Sequence, residues 1–217
     1  MWLVVAMEKP RFFDPRDEVE VMVNRLPHWQ QAGGIIFLTF RLADSLPAEL
    51  LRPWQSQRKV WLKQYPPPHT PDKELEYHRL FTVTMEQALD AGHGSCVLRN
   101  RRVAEQVAGT FHFYESRRSE LFSLVVMPNH VHALFGLVAH TAIDALLKDW
   151  KSYSSHVLVK QSGEGWPGWQ KDYFDRLVRN EAHFERCVRY IRSNPKKAGL
   201  KDGEFLLWEA ERAKAVL

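Results

Sequence analysis

Two short apolar runs in the middle of the chain constrain its fold most: Leu121-Phe122-Ser123-Leu124-Val125-Val126 and His130 to Leu137, broken by Met127-Pro128-Asn129. Runs of this length, bounded by a proline break, read as buried strands, and buried strands must be covered by other layers. The second run begins Asn129-His130-Val131-His132. Side chains alternate along a strand, so His130 and His132 share one face and Val131 takes the other. Two imidazoles a few ångströms apart on one face suit a divalent ion. The plain alternative is a pair of histidines on a solvated strand edge. The apolar residues on both sides favour the ion, because paired histidines on a buried element need a reason to be there.

The remaining elements follow from spacing. Gly34 to Arg41 reads as a mostly buried strand entered through Gly33-Gly34. Leu46, Leu50, Leu51 and Trp54 carry helical spacing behind Ser45 and Pro47. Tyr65-Pro66-Pro67-Pro68-His69-Thr70-Pro71 breaks any regular element. A helix is expected to end at Asp90 before Gly92 and Gly94, then a short strand over Ser95–Arg99 and a helix over Val103–Tyr114. Further helices are expected over Thr141–Gln161 and Glu181–Ser193, with a loop at Gly163–Gly168 between them. Pro195 should stop the last helix at Asn194. Strands and helices mixed in this way predict an α+β fold in one domain over 1–217, with a helical and loop insertion at about 43–90.

With 45% hydrophobic and 26% charged residues, the chain has the balance of a globular protein. No stretch approaches a membrane helix, and the apolar opening Met1–Ala6 is too short for a signal peptide, so a cytoplasmic protein without membrane partners is expected. Cys96 and Cys187 read as reduced thiols. The net charge is +4, and residues 171–201 concentrate it, with nine basic against four acidic side chains. Such a stretch invites a phosphate-bearing partner, although a charged run is also the usual solvated helix face.

Strand transfer on nucleic acid without ATP needs a nucleophile that stores the phosphodiester energy as a covalent ester. Tyr190 is a candidate, and Asn194, four residues on, projects from the same side of the helix. Asn194 could then reach an ion held by the two histidines. The plain reading makes Tyr190 a packed tyrosine and Asn194-Pro195 a helix stop. Trp169-Gln170-Lys171-Asp172-Tyr173-Phe174-Asp175-Arg176, continuing to Arg179, interleaves aromatic and basic residues as a single-strand binder does, or anchors a loop. Tyr173 is the rival nucleophile. Tyr153 shares a stripe with Leu146 and Trp150, so packing is its simpler role.

These segments, in order, resemble the REP-associated tyrosine transposases, a branch of the single-tyrosine HUH transposases. The resemblance rests on Phe37–Leu42, Leu89–Cys96, Val126–His132, Trp150–Tyr153, Trp169–Arg176 and Tyr190–Leu200, across roughly residues 28–200. It implies a ferredoxin-like antiparallel sheet with helices on one face. It further implies a divalent metal, Mg²⁺ or Mn²⁺, at His130 and His132 with Asn194 as third ligand, and Tyr190 as nucleophile. The implied partner is single-stranded or hairpin DNA near palindromic repeats, cut and rejoined through a 5′-phosphotyrosine by a monomer or homodimer. Lys151, Trp169, Lys171, Tyr173, Arg176, Arg179, Lys196 and Lys197 are the candidate DNA contacts. The stretch from about 43 to 76 departs from the family pattern, and the short tail after Gly199 implies a reduced C-terminal DNA-reading extension. Two other functions compete: a catalytically silent nucleic-acid-binding module of the same fold, and a two-histidine phosphodiesterase that uses activated water.

Overall fold

The structure, a computed structural model, describes residues 10–23, 27–66, 70–138, 141–162 and 166–217. The apolar opening and parts of the Pro-rich and Gly163–Gly168 loops lie outside the described residues.

The strands are β1 (Glu20–Val23), β2 (Pro27–Gln30), β3 (Ile35–Arg41), β4 (Ser119–Val126), β5 (His130–Leu137), β6 (Phe174–Leu177) and β7 (Leu206–Glu209). The helices are α1 (Ala48–Gln64), α2 (Pro71–Tyr77), α3 (Val83–Asp90), α4 (Arg101–Phe113), α5 (Ile143–Ser162), α6 (Glu181–Lys197) and α7 (Glu211–Lys214). A π-helical turn, His78–Thr82, joins α2 to α3, and Val97–Arg99 forms a 3₁₀ turn where a short strand was expected.

Five antiparallel strands make the main sheet in the order β6-β3-β5-β4-β7, while β1 and β2 pair separately. Within it, β3, β4, β5 and β6 have the connectivity and order of a ferredoxin-like βαββαβ unit. Gly33, with φ of 68°, turns the chain into β3 in a backbone region that favours glycine. In register, Thr39 lies opposite His132, Arg41 opposite His130, and Val125 opposite His132 from the other side.

Alternation splits the sheet's residues between two cores. Ile36, Leu38, Phe40, Leu124, Val131, Ala133 and Phe135 pack against α4 and α5, where Phe111 and Trp150 meet at 4.3 Å between ring centroids. Asn100 caps α4 by accepting from the backbone N–H of Arg102 and Val103, which contributes about 1 kcal/mol. Ile35, Phe37, Val125 and Leu134 face the opposite way and pack against α6 and α7. Helices therefore cover both faces of the sheet. The one-face expectation describes α4 and α5, and it is corrected by α6, because the second face is as apolar as the first and must also be covered.

Helix α6 runs through Pro195 to Lys197 rather than stopping at Asn194. Gly199, with φ of 68°, ends it. The Leu200 N–H donates to the Pro195 carbonyl and the Gly199 N–H to that of Lys196, closing a Schellman motif. The segment 43–90 supplies α1 to α3, whose Leu46, Met85 and Leu89 form a small core of their own with Trp54 and Phe174.

Candidate active site

His130 and His132 project from β5 toward α6, each only 1% exposed. Their Nε2 atoms are 3.0 Å apart, with the rings edge to face. Asn129 fixes the first ring. Its amide nitrogen donates to the carbonyls of Leu89 and His93, which leaves Oδ1 to accept from His130 Nδ1 at 2.7 Å. Neutral His130 thus carries its proton on Nδ1 and presents a bare Nε2. His132 Nδ1 meets the Thr39 hydroxyl at 2.7 Å, and that hydroxyl can donate or accept. Either His132 donates its Nε2–H to His130, or it donates Nδ1–H to Thr39 and both Nε2 lone pairs converge. Only a cation between them makes the second state favourable. Burial holds His130 down to about 3 and His132 well below its ordinary range, where His130 adds to the effect, so neither ring is protonated near neutrality.

Tyr190 stands over this pair, its ring edge-on to His132 at 5.2 Å and to Phe37 at 5.6 Å. Among the described residues its buried hydroxyl makes no full hydrogen bond, and Glu86 is the carboxylate that faces it. Burial, followed by the charges of Glu86 and Asp90, pushes the phenol well above the usual tyrosine range. Lys197 Nζ lies 5.0 Å from the ring centroid. Phe184 meets Phe122 and Tyr190 meets His132, so α6 runs antiparallel to β5. One further helical turn, about 6 Å, therefore brings Asn194 to the level of His130. Asn194 is fully buried, and among the described residues neither its Oδ1 nor its Nδ2 has a partner.

Glu86 and Asp90, one turn apart on α3, escaped the sequence reading, although acids at i and i+4 beside the histidine-bearing strand were the available signal. Burial raises both, Asp90 to about 6, and among the described residues Asp90 Oδ1 has no partner. The charges of Tyr190's neighbours Arg176 and Lys197 pull Glu86 the other way. Among the described residues no group of three His, Cys, Asp or Glu could hold an ion, so a third ligand for the histidines has to be of another kind. Two convergent imidazoles beside an orphaned buried amide fit a divalent metal, which the amide oxygen would join as a hard donor.

The proposed DNA contacts separate into two groups. Lys151 donates to the carbonyls of Gln170 and Lys171, and burial lowers it to about 8. Trp169 donates to Ser154 and packs on Phe40. Tyr173 is buried against His28 at 3.9 Å and donates to Asp144. These three hold the fold through contacts on the α4–α5 side, and Tyr173 also lines the cleft described next. Tyr153 is 51% exposed and packs by stacking on Phe113 rather than in the core beside Leu146 and Trp150. Lys171, Lys196 and Lys197 are exposed. Arg176 and Arg179 line a cleft of about 960 Å³ that they share with Thr39, Glu86, Arg186 and Tyr190.

A ferredoxin-like sheet that presents paired histidines under a helix-borne tyrosine defines a protein built for chemistry at the sheet surface, opposite the two crossover helices. The chain belongs to the IS200-like transposase family: the family model described as "Transposase IS200 like" matches residues 74–194, more than half of it, including both histidines, Tyr190 and Asn194. A solved structure of a REP-associated tyrosine transposase bound to a REP hairpin also matches, at 16% identity and a TM-score of 0.46, over 82% of this chain and 76% of that one. No curated protein matches the chain. Among the described residues no helix is long and apolar enough to cross a membrane.

Proposed function

We propose that this transposase is a metal-assisted endonuclease and strand transferase on single-stranded DNA of the REP-associated type, acting beside hairpin-forming repeats with Tyr190 as nucleophile. The observation that carries the reading is Tyr190 packed edge-on over His132, whose Nε2 faces that of His130 at 3.0 Å. His130, His132 and Asn194 would hold Mg²⁺ or Mn²⁺, which, when bound, supplies Lewis-acid polarisation of the scissile phosphate. Asn129 and Thr39 orient the two rings by their hydrogen bonds to Nδ1. The Tyr190 oxygen attacks phosphorus, the bond from phosphorus to the 3′-oxygen breaks, and that oxygen takes a proton from water to leave as a free 3′-hydroxyl while the 5′ side stays on the tyrosine. The phenolic proton passes to Glu86, whose charge acts on the phenol more strongly than that of Asp90. Burial raises the phenol, which keeps the proton on Tyr190 until substrate arrives, and burial raises Glu86, which makes it a stronger acceptor for that proton. Rejoining reverses these bonds with a 3′-hydroxyl as attacker.

The test is product analysis on a labelled hairpin oligonucleotide with a single-stranded flank, in Mn²⁺ and in chelator. Metal-dependent cleavage leaving a free 3′-hydroxyl and a protein-blocked 5′ end is expected. A free 5′-phosphate would overturn it in favour of hydrolysis by water.

A further inference from the structure

The stripe of α6 that faces the cleft extends from Tyr190 back through Arg186 to His183, at helical spacings of four and three. Arg176 on β6 and Arg179 just before α6 complete the same wall of the cleft. The guanidinium groups act on one ring: burial first, then the charges of Arg176, Arg186 and Arg179, hold His183 down to about 4. The acids of α6 are turned to its other flank, where Glu181 pairs with Arg212 at 2.8 Å and Glu185 with Arg189 at 3.2 Å. Asp175, also in the cleft, is taken by His28 at 2.6 Å. Among the described residues, Arg176 and Arg186 make no ion pair or side-chain hydrogen bond. Arg176 only lies over the Phe37 ring at 5.9 Å. The neutral His183 ring accepts the Arg179 backbone N–H on Nδ1 at 3.3 Å, which leaves Nε2–H as a donor.

Glu86, across the cleft, acts on Arg176 through its charge alone. Arg176 and Arg186 repel one another and His183 as its proton goes on, and an anion between them relieves that cost. Planar guanidinium groups with a ring N–H fit the oxygens of a phosphate. We propose that Arg176, Arg186 and His183 form a binding site for one backbone phosphate of the single strand, a short way along it from the scissile phosphate at Tyr190. The seven residues from His183 to Tyr190 span about 10 Å of helix, so the site fixes which phosphate reaches the tyrosine. The inference rests on the reading of the protein as a single-strand DNA enzyme.

The test uses the full chain and a hairpin oligonucleotide with a single-stranded flank, in which one flank phosphate at a time is replaced by a neutral methylphosphonate. One position should weaken binding to the wild-type protein, and that sensitivity should disappear in R176Q/R186Q. The same variant should lower the salt dependence of binding by about 1.4 in log–log slope, at roughly 0.7 per lost contact to a single strand. R101Q, on α4, should match the wild type, and the melting temperatures should agree. An unchanged slope in R176Q/R186Q, or no sensitive position in the wild type, overturns the site while leaving the enzyme's function standing. Failure of the wild type to bind the oligonucleotide at all overturns both.

Discussion

The Nε2 atoms of His130 and His132 lie 3.0 Å apart, and each ring's other nitrogen is already committed, to Asn129 Oδ1 and to the Thr39 hydroxyl. With metal–nitrogen bonds of about 2.1 Å, that separation is what two neighbouring ligands on one ion require. Calorimetric titration with Mn²⁺ should therefore show one site, and the H130A/H132A protein should show none while keeping its fold. Thr39→Val and Asn129→Ala should weaken the site by about 10- to 100-fold, because they release the rings without removing a ligand. Affinity unchanged in both variants would mean that the hydrogen bonds do not organise the histidines.

Asn194 gives a second, opposite-signed outcome. Among the described residues its buried amide has no partner, which costs about 1–3 kcal/mol, and a leucine of similar size avoids that cost. Asn194→Leu should therefore melt at the same temperature as the wild type or higher in chelator, yet lose much of the rise in melting temperature that Mn²⁺ produces. A full metal-induced rise in the leucine variant would remove Asn194 from the ligand set.

The sequence marked the central strands of the sheet better than its edges. Strands β3, β4 and β5 stood out because both faces of each are buried, which writes a continuous apolar run. Their histidines stood out against that run. Strand β6 was hidden, because Phe174-Asp175-Arg176-Leu177 sits at the sheet edge with polar residues that face the cleft and His28, so its composition resembles a loop's. The roles of Lys151, Trp169 and Tyr173 were equally hidden. Interleaved cations and aromatics bind a strand or fasten a loop with the same chemistry, and only tertiary placement distinguishes them. Pro195 misled because a proline in the last turn forfeits little when Gly199 supplies the real stop.

His28 makes stability depend on pH. Burial pulls its pKa down, but hydrogen bonds to Asp172 and Asp175 outweigh that and hold the ring up to about 9, above the ordinary 6.5. Because the folded value is raised, the stabilisation is fully present below about pH 6.5 and is lost as pH rises through 9. Melting temperature should fall across that window, and His28→Gln should flatten the fall. A wild-type profile already flat from pH 6.5 to 9 would show that the ring is not charged in the folded protein.

The identity of the nucleophile can be decided among three tyrosines. Tyr173 is locked between His28 and Asp144 on the α4–α5 side, and Tyr153 stacks on Phe113 at the surface of α5. Tyr190 alone of the three touches a histidine of the pair. Incubation with Mn²⁺ and a labelled hairpin oligonucleotide should give an adduct that survives denaturation, with the label on the peptide containing residue 190. Tyr190→Phe should form no adduct and still bind the oligonucleotide. It should be close to the wild type in stability, since among the described residues the buried hydroxyl makes no full hydrogen bond, only a weak contact with Glu86. Tyr173→Phe should behave in the reverse way, losing stability by about 1–3 kcal/mol because the Asp144 carboxylate forfeits its donor, while the adduct still forms. Tyr153→Phe should change neither. An adduct mapped to residue 173, or cleavage persisting in Tyr190→Phe, would move the chemistry away from α6 and toward attack by water.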